Sequence, residues 1–222
     1  DYPIVLANDD FYGGLGGRYA ITTRSVESGA IVLRHELGHN FGEVGEEYDG
    51  GQVYMGANHT SNKRAPWTQW ANGPIRGFDT KYLNGSYLWA PLSDTPLKIS
   101  FQFPSPSQNQ SYTPYIFLSS VGWASPEDVY VSLDGARVNY HGVFTQDRSF
   151  FALELNQSLA PGRHTLEFRE NVRTGNHVLA FAQVYGYPAD YNFKHGHVDA
   201  FPTFNDSGKP SGFRPTHADC LM

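Results

Sequence analysis

Ala30-Ile31-Val32-Leu33-Arg34-His35-Glu36-Leu37-Gly38-His39-Asn40-Phe41-Gly42 carries two histidines four residues apart. On a helix, four steps overshoot one 3.6-residue turn by only about 40°, so both imidazoles leave the same side. They then close on one metal ion, and His35-Glu36-x-x-His39 is the zinc-peptidase form of that arrangement. Glu36 stands one step round the helix, beside the metal, where a general base takes a proton from a metal-bound water. Ala30, Leu33, Leu37 and Phe41 recur at helical spacing and predict the buried stripe of this helix, with Ser25 as its N-cap. Gly42 marks its end.

The acidic turn Glu43-Val44-Gly45-Glu46-Glu47-Tyr48 follows at a distance that returns a carboxylate over the two histidines. Upstream, Asp1-Tyr2-Pro3-Ile4-Val5-Leu6-Ala7-Asn8 and Arg18-Tyr19-Ala20-Ile21-Thr22-Thr23 read as short strands. Between them, Gly13, Gly14, Gly16 and Gly17 predict a bulge or a close backbone approach. A phosphate-cradling loop needs a Lys-Ser/Thr pair and a helix start, and neither follows.

From Tyr54 to Leu92 the chain reads as irregular. Beyond it the pattern changes to short alternating or apolar runs: Leu97–Phe103, Pro114–Leu118, Asp128–Leu133 with the turn Asp134-Gly135, Ser149–Leu155, Arg163–Arg169 and Val178–Tyr185. Such spacing predicts an antiparallel β-sandwich over residues 95–187, inserted in a metal-binding domain made of residues 1–94 and 188–222. The predicted fold class is therefore α+β: a short sheet plus the histidine helix, with an inserted sandwich.

The 222 residues are 40% hydrophobic and 17% charged, a folded composition. A net charge of −6 argues against nucleic acid as partner. No apolar run is long enough to cross a bilayer as a helix. Five Asn-x-Ser/Thr sequons, at Asn58, Asn84, Asn109, Asn156 and Asn205, point to a secreted, extracellular glycoprotein. Cys220 is the single cysteine, so no disulfide forms among these residues.

Three separated pieces resemble the IgA-peptidase family of secreted zinc metallopeptidases, a metzincin-like group. They are Val5–Asn8 with Tyr12-Gly13-Gly14, His35–Gly42 with Glu46-Glu47-Tyr48, and Phe213–Thr216 with Cys220-Leu221-Met222. The resemblance implies a Zn2+ cofactor, a metzincin-like zincin domain and hydrolysis of a protein or peptide substrate. It implies Glu46 as third ligand with Glu47 as the alternative, since Gly45 occupies the strict metzincin position and offers no ligand atom. It also implies a substrate-pairing edge strand around Tyr12, Gly13 and Gly14, and Met222 as the methionine of a turn beneath the site. A rival from another class keeps the metal site as a vestige and assigns the chain's work to the sandwich, as a module that binds carbohydrate or protein.

Overall fold

The computed structural model describes residues 2–46, 56–62, 64–71, 73–75, 82–103, 112–155, 158–188, 196–205 and 209–216. Glu47, Asn109, Asn156 and Met222 lie outside the described residues. The chain divides into two units: Asp1–Asp79 with Asn192–Met222, and Thr80–Tyr191.

In the first unit, β1 (Ile4–Ala7) pairs in parallel with β3 (Ala20–Thr23). The two-residue β2 (Gly14–Leu15) pairs antiparallel with β3, so the order is β1-β3-β2 and β2 is an edge. Helix α1 (Gly29–Gly42) packs on this sheet through Val32, Glu36 and Gly29, its buried residues. That face differs from the expected stripe: Ala30 is exposed and Phe41 is 63% exposed. The cause is local. A Cβ on Gly14 would collide with Val32 Cγ1, so the glycine strand draws the Val32–Glu36 side of α1 against the sheet. Ser25 acts one turn early: its Oγ accepts from Ser28 N at 3.0 Å in the turn leading into the helix. Later in the unit, β12 (Phe201–Phe204) and β13 (Pro210–Arg214) form a hairpin.

The second unit holds two four-stranded sheets. One has the order β5 (Leu97–Phe103), β10 (Gly162–Glu170), β7 (Val129–Leu133), β8 (Ala136–Arg137). The other runs β4 (Tyr82–Pro91), β11 (Val178–Pro188), β6 (Tyr112–Val121), β9 (Arg148–Glu154). All pairs inside them are antiparallel. Both sheets send alternate residues into one core, with Phe103, Leu166 and Phe168 from the first and Ile116, Leu118 and Leu179 from the second around Trp123. Asp134 and Gly135, at φ 51° and 83°, make the left-handed turn that the hairpin β7–β8 needs.

The fold class is therefore corrected. Among the described residues there are thirteen strands and one α-helix, so the chain is a mostly-β protein with several antiparallel sheets, not an α+β zincin. The helix signals cease at Gly42, and part of the stretch expected to be irregular forms β4, ten residues long. As an edge strand β4 tolerates Gly85 and Pro91, which obscure its alternation in the sequence.

One buried polar knot in this unit gives a stability test. Glu170 Oε1 accepts from Thr174 N at 3.1 Å and Gly175 N at 3.0 Å, and contacts His177 Nδ1 at 2.8 Å. Burial would raise this carboxyl, but those hydrogen bonds outweigh it and hold it below the usual carboxylate range. A carboxyl depressed on folding stabilises above its unfolded pKa and loses that contribution as pH falls through the folded value. Glu170→Gln is expected to cost about 2 kcal/mol at neutral pH. Thermal melts from pH 7 to 3 should show the variant and the parent converging in acid; a gap that persists at pH 3 contradicts this.

Candidate metal centre

Helix α1 places His35 and His39 one turn apart, with ring centroids 4.7 Å apart and near-perpendicular planes. After Gly42 the chain turns on Glu43, a non-glycine residue in the left-handed region at φ 50°, ψ 37°. The turn is held from outside. Val44 bridges Gly56, and Ala57 N donates to Glu43 O. Gly56 sits at φ 82° with no room for a Cβ against the Glu43 carbonyl. Asn58, itself buried, then clamps the backbone of Gly45: its Oδ1 accepts from Gly45 N and its Nδ2 donates to Gly45 O, both at 2.9 Å. The next side chain is Glu46, and it comes back over the histidines.

Three candidate ligand side chains converge. His35 Nε2 and His39 Nε2 lie 3.2 Å apart, His39 Nε2 is 3.1 Å from Glu46 Oε1, and His35 Nε2 is 3.2 Å from Glu46 Oε2. Donor atoms on a tetrahedral zinc ion at about 2.0–2.1 Å sit about 3.3 Å from each other, so the spacing suits one shared cation. Hydrogen bonding alone explains it poorly. His39 Nδ1 lies 2.8 Å from the Val44 carbonyl, which only accepts, so Nδ1 carries a proton; in the neutral form of the ring, the form that binds a metal, Nε2 then presents a lone pair. That lone pair faces another imidazole nitrogen and a carboxylate. Glu46 Oε2 is buried with no hydrogen-bond partner among the described residues, and its neighbour is His35 Nε2 at ion-pair distance. Burial would raise the Glu46 carboxyl, but His35 and then His39 outweigh it and hold it below the ordinary value.

Glu36 lies beside this group and is 7% exposed. Burial pushes its carboxyl above the ordinary value, against the attraction of His35 and His39 and with the repulsion of Glu46. The edge strand lies over it: a Cβ on Gly16 would stand 2.7 Å from Glu36 Oε2 and 3.3 Å from His39 Cδ2, and one on Gly14 would stand 3.1 Å from Glu36 Oε1. Of the four glycines expected to mark a close approach, Gly14 and Gly16 border the carboxylate and Gly16 one imidazole, whereas Gly13 meets Thr23 and Gly17 faces open space.

The other sequence-derived residues fall as follows. Tyr12 and Gly13 immediately precede β2, and Gly14 opens it. Asn84 lies within β4, and Asn205 is exposed just after β12. Asn58 stands in the support of the turn that carries Glu46. Its role as a clamp was missed in the sequence, where a sequon masks it. The only available signal was its place two residues after Gly56.

Residues 1–84 match the family model described as IgA Peptidase M64, which relates this segment to a peptidase family. No curated protein matches the chain. Three solved structures are similar to it in part. Dimeric latent PorU from Porphyromonas gingivalis is 8% identical, with a TM-score of 0.35 over 68% of this chain and 17% of that one. The Podospora anserina GH26-CBM35 β-(1,4)-mannanase is 13% identical, with a TM-score of 0.34 over 52% of this chain and 29% of that one. A ruminal GH26 endo-β-1,4-mannanase is 13% identical, with a TM-score of 0.33 over 67% and 28%. The chain spans less than a third of the length of each, and its first 84 residues are similar to the IgA peptidases.

Proposed function

We propose that His35, His39 and Glu46 hold a zinc ion and that the chain hydrolyses peptide bonds with Glu36 as general base. The observation that supports this most is the meeting of two imidazole nitrogens and a half-buried carboxylate at 3.1–3.2 Å, with a second, desolvated carboxylate alongside. The match of residues 1–84 to a peptidase family supports the same reading. Zinc bound there supplies Lewis-acid polarisation of a carbonyl and acidification of water.

The chain's own groups do the rest. Val44 O orients His39 through Nδ1, fixing which nitrogen faces inward. Asn58 and Gly56 set the backbone that aims Glu46. A Glu36 carboxylate oxygen takes the proton of the attacking water and returns it to the leaving amine nitrogen. Strand β2, an edge of its sheet among the described residues and beside Glu36, offers backbone N–H and C=O groups to an extended peptide. The sequons further support a secreted protein.

The test is hydrolysis of a denatured protein substrate, followed by chelation and restoration. Cleavage should disappear with chelator and return on adding zinc; cleavage indifferent to both, with zinc shown to be gone, overturns the reading.

A further inference from the structure

The second unit carries an aromatic patch that the proposed hydrolysis does not use. Phe150 in β9, Ser119 in β6 and Phe181 in β11 are register partners across three adjacent strands, so they share one face of the sheet. Their chain neighbours Phe151, Leu118 and Ala182 belong to the core, which places the row on the opposite face, where Ser119 and Phe181 are buried and Phe150 is exposed. Phe117 lies near it, its ring 6.1 Å from Phe150 and 19° from parallel, and 5.3 Å from Phe181.

At the end of this row β4 breaks register with β11 between Leu179 and Phe181. Trp89 sits opposite that irregularity in the left-handed region, at φ 44°, a strained conformation for a bulky side chain. It is nevertheless 54% exposed, and Phe150 is 43% exposed. Burial therefore does not recompense the strain. Arg148 lies with both rings, its guanidinium carbon 5.1 Å from the Trp89 centroid and 5.0 Å from Phe150, and its Nε donates to Ser119 Oγ at 2.9 Å. The guanidinium is thus fixed in orientation amid exposed apolar rings.

We propose that Trp89, Arg148, Phe150 and Phe117 form a binding site for a carboxylated sugar residue of a glycan. Flat rings in contact with water suit the C–H face of a pyranose, which an acidic peptide side chain lacks. An oriented guanidinium suits a carboxylate through paired N–H donors. The chain's net charge of −6 disfavours a polyanion such as nucleic acid, whereas a singly charged sugar meets the local cation. This site is independent of the peptidase reading.

Calorimetric titration of the full chain tests it with two sources of that chemistry, a sialyl-lactose and a digalacturonate. Lactose and the digalacturonate methyl ester serve as uncharged counterparts, and a tetraglutamate peptide as the other macromolecular class. At least one acid should bind, about tenfold or more tighter than its uncharged counterpart. Trp89→Ala should weaken that binding at least about tenfold, Trp89→Tyr should retain it within about threefold, and Arg148→Met should erase the preference for the acid. Which acid binds identifies the source. Equal binding of charged and uncharged forms, binding of neither acid, preference for the peptide, or an unchanged Trp89→Ala affinity in a folded variant each overturns the proposal.

Discussion

Glu36→Gln is expected to lower the rate of peptide hydrolysis by about 10²–10⁴-fold, the range that general acid–base catalysis contributes, while zinc remains bound. The expectation follows from placement. Glu36 is buried next to the His35–His39–Glu46 group without joining it, and its near neighbours are glycines of and beside β2 that leave its oxygens uncrowded. Glutamine keeps the size and removes the base, so the strand and helix should pack as before. The decisive readout is kcat beside metal content and melting temperature measured on the same preparation. Retained zinc and stability with turnover near the parent value would remove Glu36 from its proposed role. Loss of zinc together with turnover would instead make Glu36 part of the ion's support.

The second large effect concerns affinity for the ion. His39→Ala and Glu46→Ala each take away one of three converging donors, and zinc affinity is expected to fall further than the roughly 10–100-fold typical of outer-shell changes. Asn58→Ala belongs to that milder class. It removes both hydrogen bonds to Gly45 and loosens the turn that aims Glu46, so a loss of about 10–100-fold is expected with both histidines intact. Competition against a zinc indicator ranks the three variants. An Asn58→Ala affinity equal to the parent's would mean that the Val44–Gly56 bridge alone holds the turn.

The chemistry of the site was more legible in the sequence than the fold around it. Spacing alone brings His35 and His39 together, because helical periodicity is a local property. The return of Glu46 rests on long-range support from Gly56 and Asn58, which no pattern near the histidines reveals. The helix's buried side was misread for a related reason. Hydrophobicity predicts Ala30, Leu33, Leu37 and Phe41, but backbone proximity at Gly14 selects Gly29, Val32 and Glu36. A buried glutamate and glycine are poor apolar signals, and here close backbone approach overrides the pattern.

The strands of the second unit show the same division. Leu97–Phe103 alternates cleanly and forms β5 over those residues. Tyr82–Pro91 contains Asn84, Gly85 and Pro91, so it reads as a loop although it pairs with β11 on both sides of the register break at Leu88 and Trp89. The hairpin of Phe201–Phe204 and Pro210–Arg214 was hidden likewise by prolines and glycine. These missed strands, together with a single α-helix, are why an α+β expectation gave way to a mostly-β chain.

X-ray absorption at the zinc edge on the purified, zinc-loaded protein probes the proposed centre most directly. The expected spectrum shows one ion per chain with two imidazole nitrogens and oxygen donors at about 2.0–2.1 Å, one nitrogen being lost in His39→Ala. A spectrum with sulfur in the first shell, or one left unchanged by His39→Ala, would contradict it.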